Sequence, residues 1–469
     1  MGRLFGTDGV RGVANADLTP ELAMNISRAS TFVLTKNKTK RPKVLVGKDT
    51  RLSSDMLEGA LIAGFCSVGA DVVSLGVVPT PAVAYLVKKY KADAGVMISA
   101  SHNTYEFNGI KIFSGDGYKL PDALEEEIEA IVLDGAEIIE LPYESNIGKI
   151  IESDNATRDY VDYIKSTTDE KLNGLKIAFD CSNGSASRTA EKLFEELGVE
   201  CFMLHNKPDG ININKDCGSV HLKNLVDFVK ENNLDAGIAF DGDADRCLAV
   251  DDKGNIIDGD FIMAICAENL KEQGKLAKDT VVGTIMANIG FNCFCEKNGI
   301  NLVSADVGDR YVLENMLMGG YNFGGEQSGH VIFLDFATTG DGQLTATQLL
   351  SIMKRKNTKL SDLSKLMVKY PQVMINVNVS QEGKLRFYTD DVVKAAIERA
   401  KNDLCRNTNL EKDAEEKNLN AVSERNGRIL VRASGTEPLI RVMLEGENCE
   451  EISRIANEVA DVVRERLSN

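Results

Sequence analysis

Between Gly95 and Phe113 the chain reads GVMISASHNTYEFNGIKIF, and its chemistry changes in mid-stretch. Ser101 sits where a buried strand would give way to small polar residues; His102 follows at once and Lys111 lies ten residues on. A hydroxyl beside an imidazole and an ammonium has the ingredients of a nucleophile with proton-handling and charge-neutralising partners. A Ser/Asn turn closing the strand is the plain alternative.

Other stretches carry chemistry of a compatible kind. Asp241, Asp243 and Asp245 alternate in DGDADR, and on an extended backbone all three carboxylates would project to one side. Such hard oxygens suit Mg²⁺, which favours carboxylates together with a phosphate oxygen. An EF-hand is excluded, since its sixth and twelfth positions hold Arg246 and Asp252. Glu326, Ser328 and His330 lie among glycines before an apolar run, a rigid carboxylate and hydroxyl suited to sugar hydroxyls. Arg432, Ser434, Gly435 and Thr436, with Arg441 beyond them, combine hydroxyls, backbone N–H groups and guanidinium, as a phosphate site requires. Near the amino terminus, Arg11 in GTDGVRG aims a guanidinium from a Gly-rich loop.

These loops close a repeated pattern. Strand–helix–strand–helix–strand can be read from Lys43 to the Ser101 loop, again from Leu175 to Arg246, and again from Thr280 to His330. That order predicts α/β units with mixed, mostly parallel sheets, whose ligands gather at strand carboxyl ends. From about residue 371 the pattern changes to a smaller α+β unit ending in an amphipathic helix over Ile452, Ile455, Ala456, Val459, Val463 and Leu467. The expected domains are 1–152 with the serine loop, 153–256 with the aspartates, 257–370 with the Glu326 loop, and 371–469 with the phosphate nest, arranged around a central cleft. The polar segment Cys405–Asn426 reads as an exposed excursion.

Composition narrows the function. With 469 residues, a net charge of −17 and no long apolar run, the chain should be a soluble cytoplasmic protein that neither binds nucleic acid nor enters a membrane. No secretory signal is read at the amino terminus. Ten scattered cysteines without a CxxC pair are expected to be buried free thiols in a reducing compartment.

Taken together and in order, SASHN, DGDADR, GEQSGH and RASGTEP resemble the α-D-phosphohexomutase superfamily. FGTDGVRG, PDGININKDCGSVH, VGDRYVLE and GGEQSGHVIFLDFATTGDG resemble its phosphoglucosamine mutase branch most. The resemblance implies an isomerase in which Ser101 is a phosphoserine and Asp241, Asp243 and Asp245 hold one Mg²⁺ with its phosphate. It implies that Glu326, Ser328 and His330 grip the sugar, and that Arg432, Ser434, Gly435, Thr436 and Arg441 hold the phosphate not in transit. Arg11, His102, Lys111 and Arg246 would line the transfer site, with Lys111 or His102 as proton shuttle. The substrate would be a small phosphosugar, glucosamine 6-phosphate, with glucosamine 1,6-bisphosphate as primer and intermediate and a product feeding UDP-N-acetylglucosamine and cell-wall precursors. The protein would be a monomer or homodimer. Phosphoglucomutase or phosphomannomutase activity, an inactive sugar-phosphate-binding paralogue and a phosphatase are the rival readings. Thr104, Phe107 and Ala433 depart from residues common in the superfamily, but none is a reacting group.

Overall fold

The computed structural model describes residues 2–36, 41–137, 139–406, 427–434 and 438–468. They form four sheets. The first contains β1 (Val10–Val13), β2 (Lys43–Lys48), β3 (Asp71–Val77), β4 (Ala94–Ile98), β5 (Phe107–Ser114) and β6 (Ile150–Glu152), in the order β1-β5-β4-β2-β3-β6. β2, β3, β4 and β6 are parallel, whereas β5 runs antiparallel to both β4 and β1. The second contains β7 (Lys176–Asp180), β8 (Glu200–Leu204), β9 (Ala236–Phe240), β10 (Cys247–Asp251) and β11 (Ile256–Ile257), parallel from β8 through β7 to β9. The third contains β12 (Thr280–Thr284), β13 (Asn301–Ala305), β14 (Phe323–Gly325) and β15 (Val331–Phe333), again parallel except at β15.

β4 shows why these strands read as apolar runs. Every residue of it is buried, because helices cover both faces, the condition under which a parallel sheet loses its alternation. Val96 and Ile98 join Leu57, Leu61, Phe65 and Ile26 in one core. On the other face Gly95 lets the helix Thr80–Lys89 approach; a Cβ there would lie 2.4 Å from Val87 and 2.9 Å from Val83. Each fully buried aliphatic side chain contributes roughly 1.5–3 kcal/mol. β4 is therefore a buried platform that ends in a polar loop.

The chain divides into two compact units, residues 1–286 with 299–366, and residues 287–298 with 367–469. The first holds the three mixed sheets. The second is built on β16 (Gln372–Asn378), β17 (Gly427–Ala433) and β18 (Leu439–Gly446), an antiparallel sheet ordered β16-β18-β17. The helix Cys449–Leu467 lays the expected apolar stripe on it. Asn448 caps that helix, with Glu450 and Glu451 in its first turn and Arg464 and Arg466 in its last, complementing the helix dipole.

The second unit also takes in the helix Ile289–Lys297, which the sequence pattern groups with the third repeat. Glu445, fully buried in β18, accepts from Asn288 Nδ2 and the Ile289 N–H, both at 3.1 Å, and from Arg428 Nη2 at 2.7 Å. A buried carboxylate is held only where such donors surround it. Residues 407–426, most of the expected polar excursion, lie outside the described residues.

Asp341 has a similar role in the first unit. It caps the largely buried helix Gly342–Lys356, accepting from the Gln343 and Leu344 N–H groups at 3.0 Å and from the Tyr160 hydroxyl at 2.8 Å. Burial nevertheless pushes its carboxyl up to about 6 against those donors. Its folded pKa lies above its unfolded one, so its contribution to stability is full below the unfolded value and is lost as pH rises through about 6. Asp341→Asn keeps the capping oxygen and removes the titration. Thermal unfolding should show the variant gaining stability relative to wild type between pH 4 and 7.5; a constant difference would refute this.

Candidate active site

The serine loop leaves β4 at Ser99. Ser101 lies in the left-handed region (φ +53°) and is 1% exposed. For a residue with a Cβ this conformation costs about 1–2 kcal/mol, so the surroundings must hold it. Its Oγ donates to Asp241 Oδ2 at 2.6 Å and lies 3.4 Å from His102 Nδ1. Its N–H donates to Ser99 Oγ, which itself donates to buried Asp49.

Asp241, Asp243 and Asp245 occupy the β9–β10 connection. The expected extended backbone is not what forms there. β9 and β10 are antiparallel neighbours joined directly, so the chain must reverse, and Ala244 takes φ +57° in the turn. The carboxylates still converge: all three are buried and offer oxygens within 4.8 Å of one another. Burial, then Asp245 and Asp243, drive the Asp241 carboxyl well above the carboxylate range. Asp243 goes the other way; burial opposes its charge, but Lys111 and Thr80 hold the ionised form. Buried Oδ1 atoms of Asp243 and Asp245 accept no hydrogen bond from the protein, Asp245 Oδ1 having only Arg246 Nε at 4.0 Å. Crowded anionic oxygens with spare lone pairs beside a serine hydroxyl fit a hard divalent cation.

Cations surround this group. Lys111, 1% exposed, contacts Asp243 at 2.8 Å, Asp8 at 2.9 Å and Asp245 at 3.2 Å. Burial works against its charge, yet Asp243, Asp8 and Asp245 raise its pKa well above the usual lysine value. Arg11 pairs with Asp8, and Lys119 bridges Asp8 and Asp309. Burial, reinforced by Arg246 and Arg11, pushes His102 down to about 4, leaving the imidazole neutral at pH 7.

The third loop meets the second through the Cys247 N–H, which donates to the Gly329 carbonyl at 3.0 Å. Burial raises the Glu326 carboxyl, with His330, Asp309 and Arg246 close enough to act on it. His330 Nε2 accepts from the Gly340 N–H at 3.2 Å and lies 3.6 Å from Asp309. Ser328 Oγ, His330 Nδ1 and Arg11 Nε are buried without a hydrogen-bond partner in the protein, and Arg246 Nε has only a long ion pair to Asp245 Oδ1 at 4.0 Å, so polar groups are left to meet a ligand.

In the second unit Arg432 and Arg441 stand opposite each other across β17 and β18. Burial and Arg441 depress the Arg432 pKa, and two like charges in cross-strand register are unfavourable unless an anion joins them. The Ser434 N–H donates to the Leu439 carbonyl at 2.9 Å. Gly435 and Thr436 lie outside the described residues.

Several neighbours of the site were not singled out from sequence: Asp8, Thr80, Lys119, Asp309, Arg51 and Asn214. Asp8, Asn214 and Asp309 stand inside quoted motifs, and Arg51 follows β2 in KDTR, a strand end like those that were read. A second ligand-like group brings together Asp180, His205 and Cys217. Its carboxylate is already satisfied by the Ser182 and Gly218 N–H groups and His205 Nδ1, each at 2.9 Å. Burial, with Asp180 and Asp216, pushes the Cys217 thiol up to about 12. The group is a scaffold for the surrounding loops. Cys181, Cys217, Cys247 and Cys266 are buried and in no disulfide, as expected, whereas Cys449, also in no disulfide, is exposed.

Comparison with known proteins identifies the class. The alpha/beta/alpha domains I, II and III of phosphoglucomutase/phosphomannomutase match residues 2–138, 158–254 and 258–370, and the C-terminal domain matches 374–462. The chain belongs to this family, the α-D-phosphohexomutases. It is similar along its whole length to the phosphoglucosamine mutases of Caldanaerobacter subterraneus (54% identical over 468 residues) and Acetivibrio thermocellus (53% over 467 residues), covering 100% of both chains in each case. Among solved structures, its fold matches N-acetylphosphoglucosamine mutase of Aspergillus fumigatus in complex with GlcNAc-6P and magnesium. There the TM-score is 0.68 at 16% identity, over 99% of this chain and 96% of that one. No helix among the described residues is long and apolar enough to cross a membrane.

Proposed function

We propose that this chain interconverts glucosamine 6-phosphate and glucosamine 1-phosphate, with Ser101 carrying the phosphoryl group between turnovers. The observation that carries the reading is the Ser101 hydroxyl, buried and 2.6 Å from Asp241 within the carboxylate cluster. Full-length similarity to named phosphoglucosamine mutases supports the choice of sugar.

In the forward direction the O1 hydroxyl of glucosamine 6-phosphate attacks the phosphorus on Ser101. The P–Oγ bond breaks as the P–O1 bond forms, giving the 1,6-bisphosphate. This intermediate turns end over end, Ser101 Oγ attacks the 6-phosphate, and glucosamine 1-phosphate leaves. Neutral His102 has the lone pair to take the sugar proton, whereas Lys111 keeps its own proton and acts through charge or as a donor. Asp241, Asp243, Asp245 and the Ser101 phosphate would hold Mg²⁺, which neutralises the phosphoryl oxygens when bound. Arg246 and Arg11 add positive charge, and Glu326, Ser328 and His330 orient the sugar. Phosphoryl transfer is mostly positioning and charge neutralisation, which is what such groups supply. Buried free thiols at Cys181, Cys217, Cys247 and Cys266 favour a reducing cytoplasm.

Phosphorus NMR tests the assignment: the protein with Mg²⁺, a trace of sugar 1,6-bisphosphate, and glucosamine, glucose or mannose 6-phosphate in parallel. Glucosamine 1-phosphate should form well ahead of the others. Equal or faster conversion of glucose or mannose would keep the mechanism and change the substrate, an outcome the family's breadth makes worth testing. No 1-phosphate from any sugar would overturn the proposal.

The Arg432–Arg441 pair is assigned to the phosphate not being transferred. Arg441→Ala should chiefly raise KM for the phosphosugar, roughly ten- to a hundredfold for a lost charge-assisted contact. A variant with unchanged KM would remove Arg441 from the site.

A further inference from the structure

Two donors grip the backbone of the Ser101 loop from opposite sides of the chain's repeat. Arg51 follows β2 with its side chain fully buried, paired to Asp49 at 2.8 Å. Its guanidinium donates to the carbonyl oxygens of Ser101 (3.0 Å), Asn103 (2.8 Å) and Phe107 (3.1 Å), and also to Thr104. Asn214 lies in the second repeat, between β8 and the helix Lys223–Glu231. Its Nδ2 donates to two of the same carbonyls, Ser101 and Asn103, at 2.8 Å each.

The aspartate loop closes the third side. Gly242 packs so tightly that a Cβ would stand 2.6 Å from the Ser101 carbonyl oxygen and 2.7 Å from Asn214 Nδ2. Asn214 is itself held in an uncommon conformation, φ +56°, with its N–H donating to the Ser182 carbonyl at 2.9 Å. The Asp180 carboxylate, through the Ser182 and Gly218 N–H groups, ties down both flanks of that arrangement. A Ser101 carbonyl turned inward by a positive φ thus finds donors from two repeats, and the metal-type loop is wedged against them.

We infer that Arg51 and Asn214 form a clamp that fixes the Ser101 loop against the Asp241–Asp245 turn, and that Asn214 is a positioning residue for phosphoryl transfer in both directions. The inference rests on Ser101 being the phosphoryl carrier, as proposed above. The clamp touches backbone oxygens and not the sugar, so losing it should shift the Ser101 oxygen without removing a substrate contact. Misplacement of a reacting atom by about 1 Å can cost on the order of a hundredfold in rate.

The test uses the full-length protein as Asn214→Ala and Asn214→Asp, the latter keeping the volume while turning an acceptor toward two carbonyl oxygens. Steady-state kinetics on glucosamine 6-phosphate, thermal unfolding, and single-turnover phosphorylation of Ser101 by sugar 1,6-bisphosphate, read by intact mass, are measured together. Folded variants should lose roughly ten- to a hundredfold in kcat with KM within about twofold, and phosphorylation of Ser101 should slow by a matching factor. Variants of near-normal kcat, or a loss confined to KM, would overturn the clamp while wild-type turnover leaves the mutase reading standing. A wild-type protein that turns over no hexose phosphate and takes no phosphate at Ser101 would instead overturn that reading, and the clamp's role with it.

Discussion

Ser101→Ala should abolish mutase turnover, by at least about a thousandfold, while leaving the protein folded. In the proposed mechanism Ser101 Oγ forms the covalent intermediate, so removing it would take away the reaction path itself, and loss of such a nucleophile ranks among the largest single-residue effects known. The fold should tolerate the change for local reasons. Alanine adopts φ +53° no worse than serine does, and the loop's backbone contacts do not involve Oγ. Asp241 loses one donor at 2.6 Å, but burial and its acidic neighbours already favour its protonated form, which needs no compensating charge. The net loss should be about 1 kcal/mol, the usual worth of one hydrogen bond. Phosphorus NMR should then show no 1-phosphate, intact mass no phosphate uptake from the bisphosphate, and thermal unfolding a shift of a few degrees. Retention of more than about one per cent of wild-type turnover would require another carrier.

The residues of that loop were legible in the sequence for a physical reason. A buried parallel strand must be apolar on both faces, so GVMI ending in SASHN marks a platform and its functional edge in one reading. The same contrast exposed DGDADR and GEQSGH. What escaped depends on long-range pairing. Nothing local to Arg51 tells that its guanidinium will meet four carbonyls some fifty residues away, nor that Asn214 will meet two of them. Glu445 likewise stands in an apolar strand with no local sign that it will anchor the start of the helix Ile289–Lys297. The aspartate turn departs from an extended segment for a related reason. Alternation alone suggested an extended segment, whereas the antiparallel β9–β10 pairing that forces a reversal is a property of the sheet.

Lys111→Met should damage both activity and stability, and the two losses should respond differently to Mg²⁺. The ammonium is the shared counter-ion of Asp8, Asp243 and Asp245, at 2.9, 2.8 and 3.2 Å, with 1% of its side chain exposed. Methionine keeps much of the volume and removes the charge, leaving buried carboxylates facing one another. Removing one partner of a buried ion pair typically costs about 3–5 kcal/mol, because the remaining charge stays desolvated. Asp8 retains Lys119 and Arg11, and Thr80 still donates to Asp243, so the lower part of that range is expected. Added Mg²⁺ should recover part of the stability by drawing on Asp243 and Asp245, whose Oδ1 atoms accept no hydrogen bond from the protein. It should not recover turnover, since in the proposed mechanism Lys111 is a cation held beside the phosphoryl group and part of the transition-state stabilisation; loss of one such contact costs roughly a hundred- to a thousandfold. Thermal unfolding with and without Mg²⁺, beside kcat at saturating Mg²⁺, reads both effects. Near-normal kcat in a folded Lys111→Met protein would mean that the lysine serves only to balance the carboxylates, and that transfer proceeds without its charge.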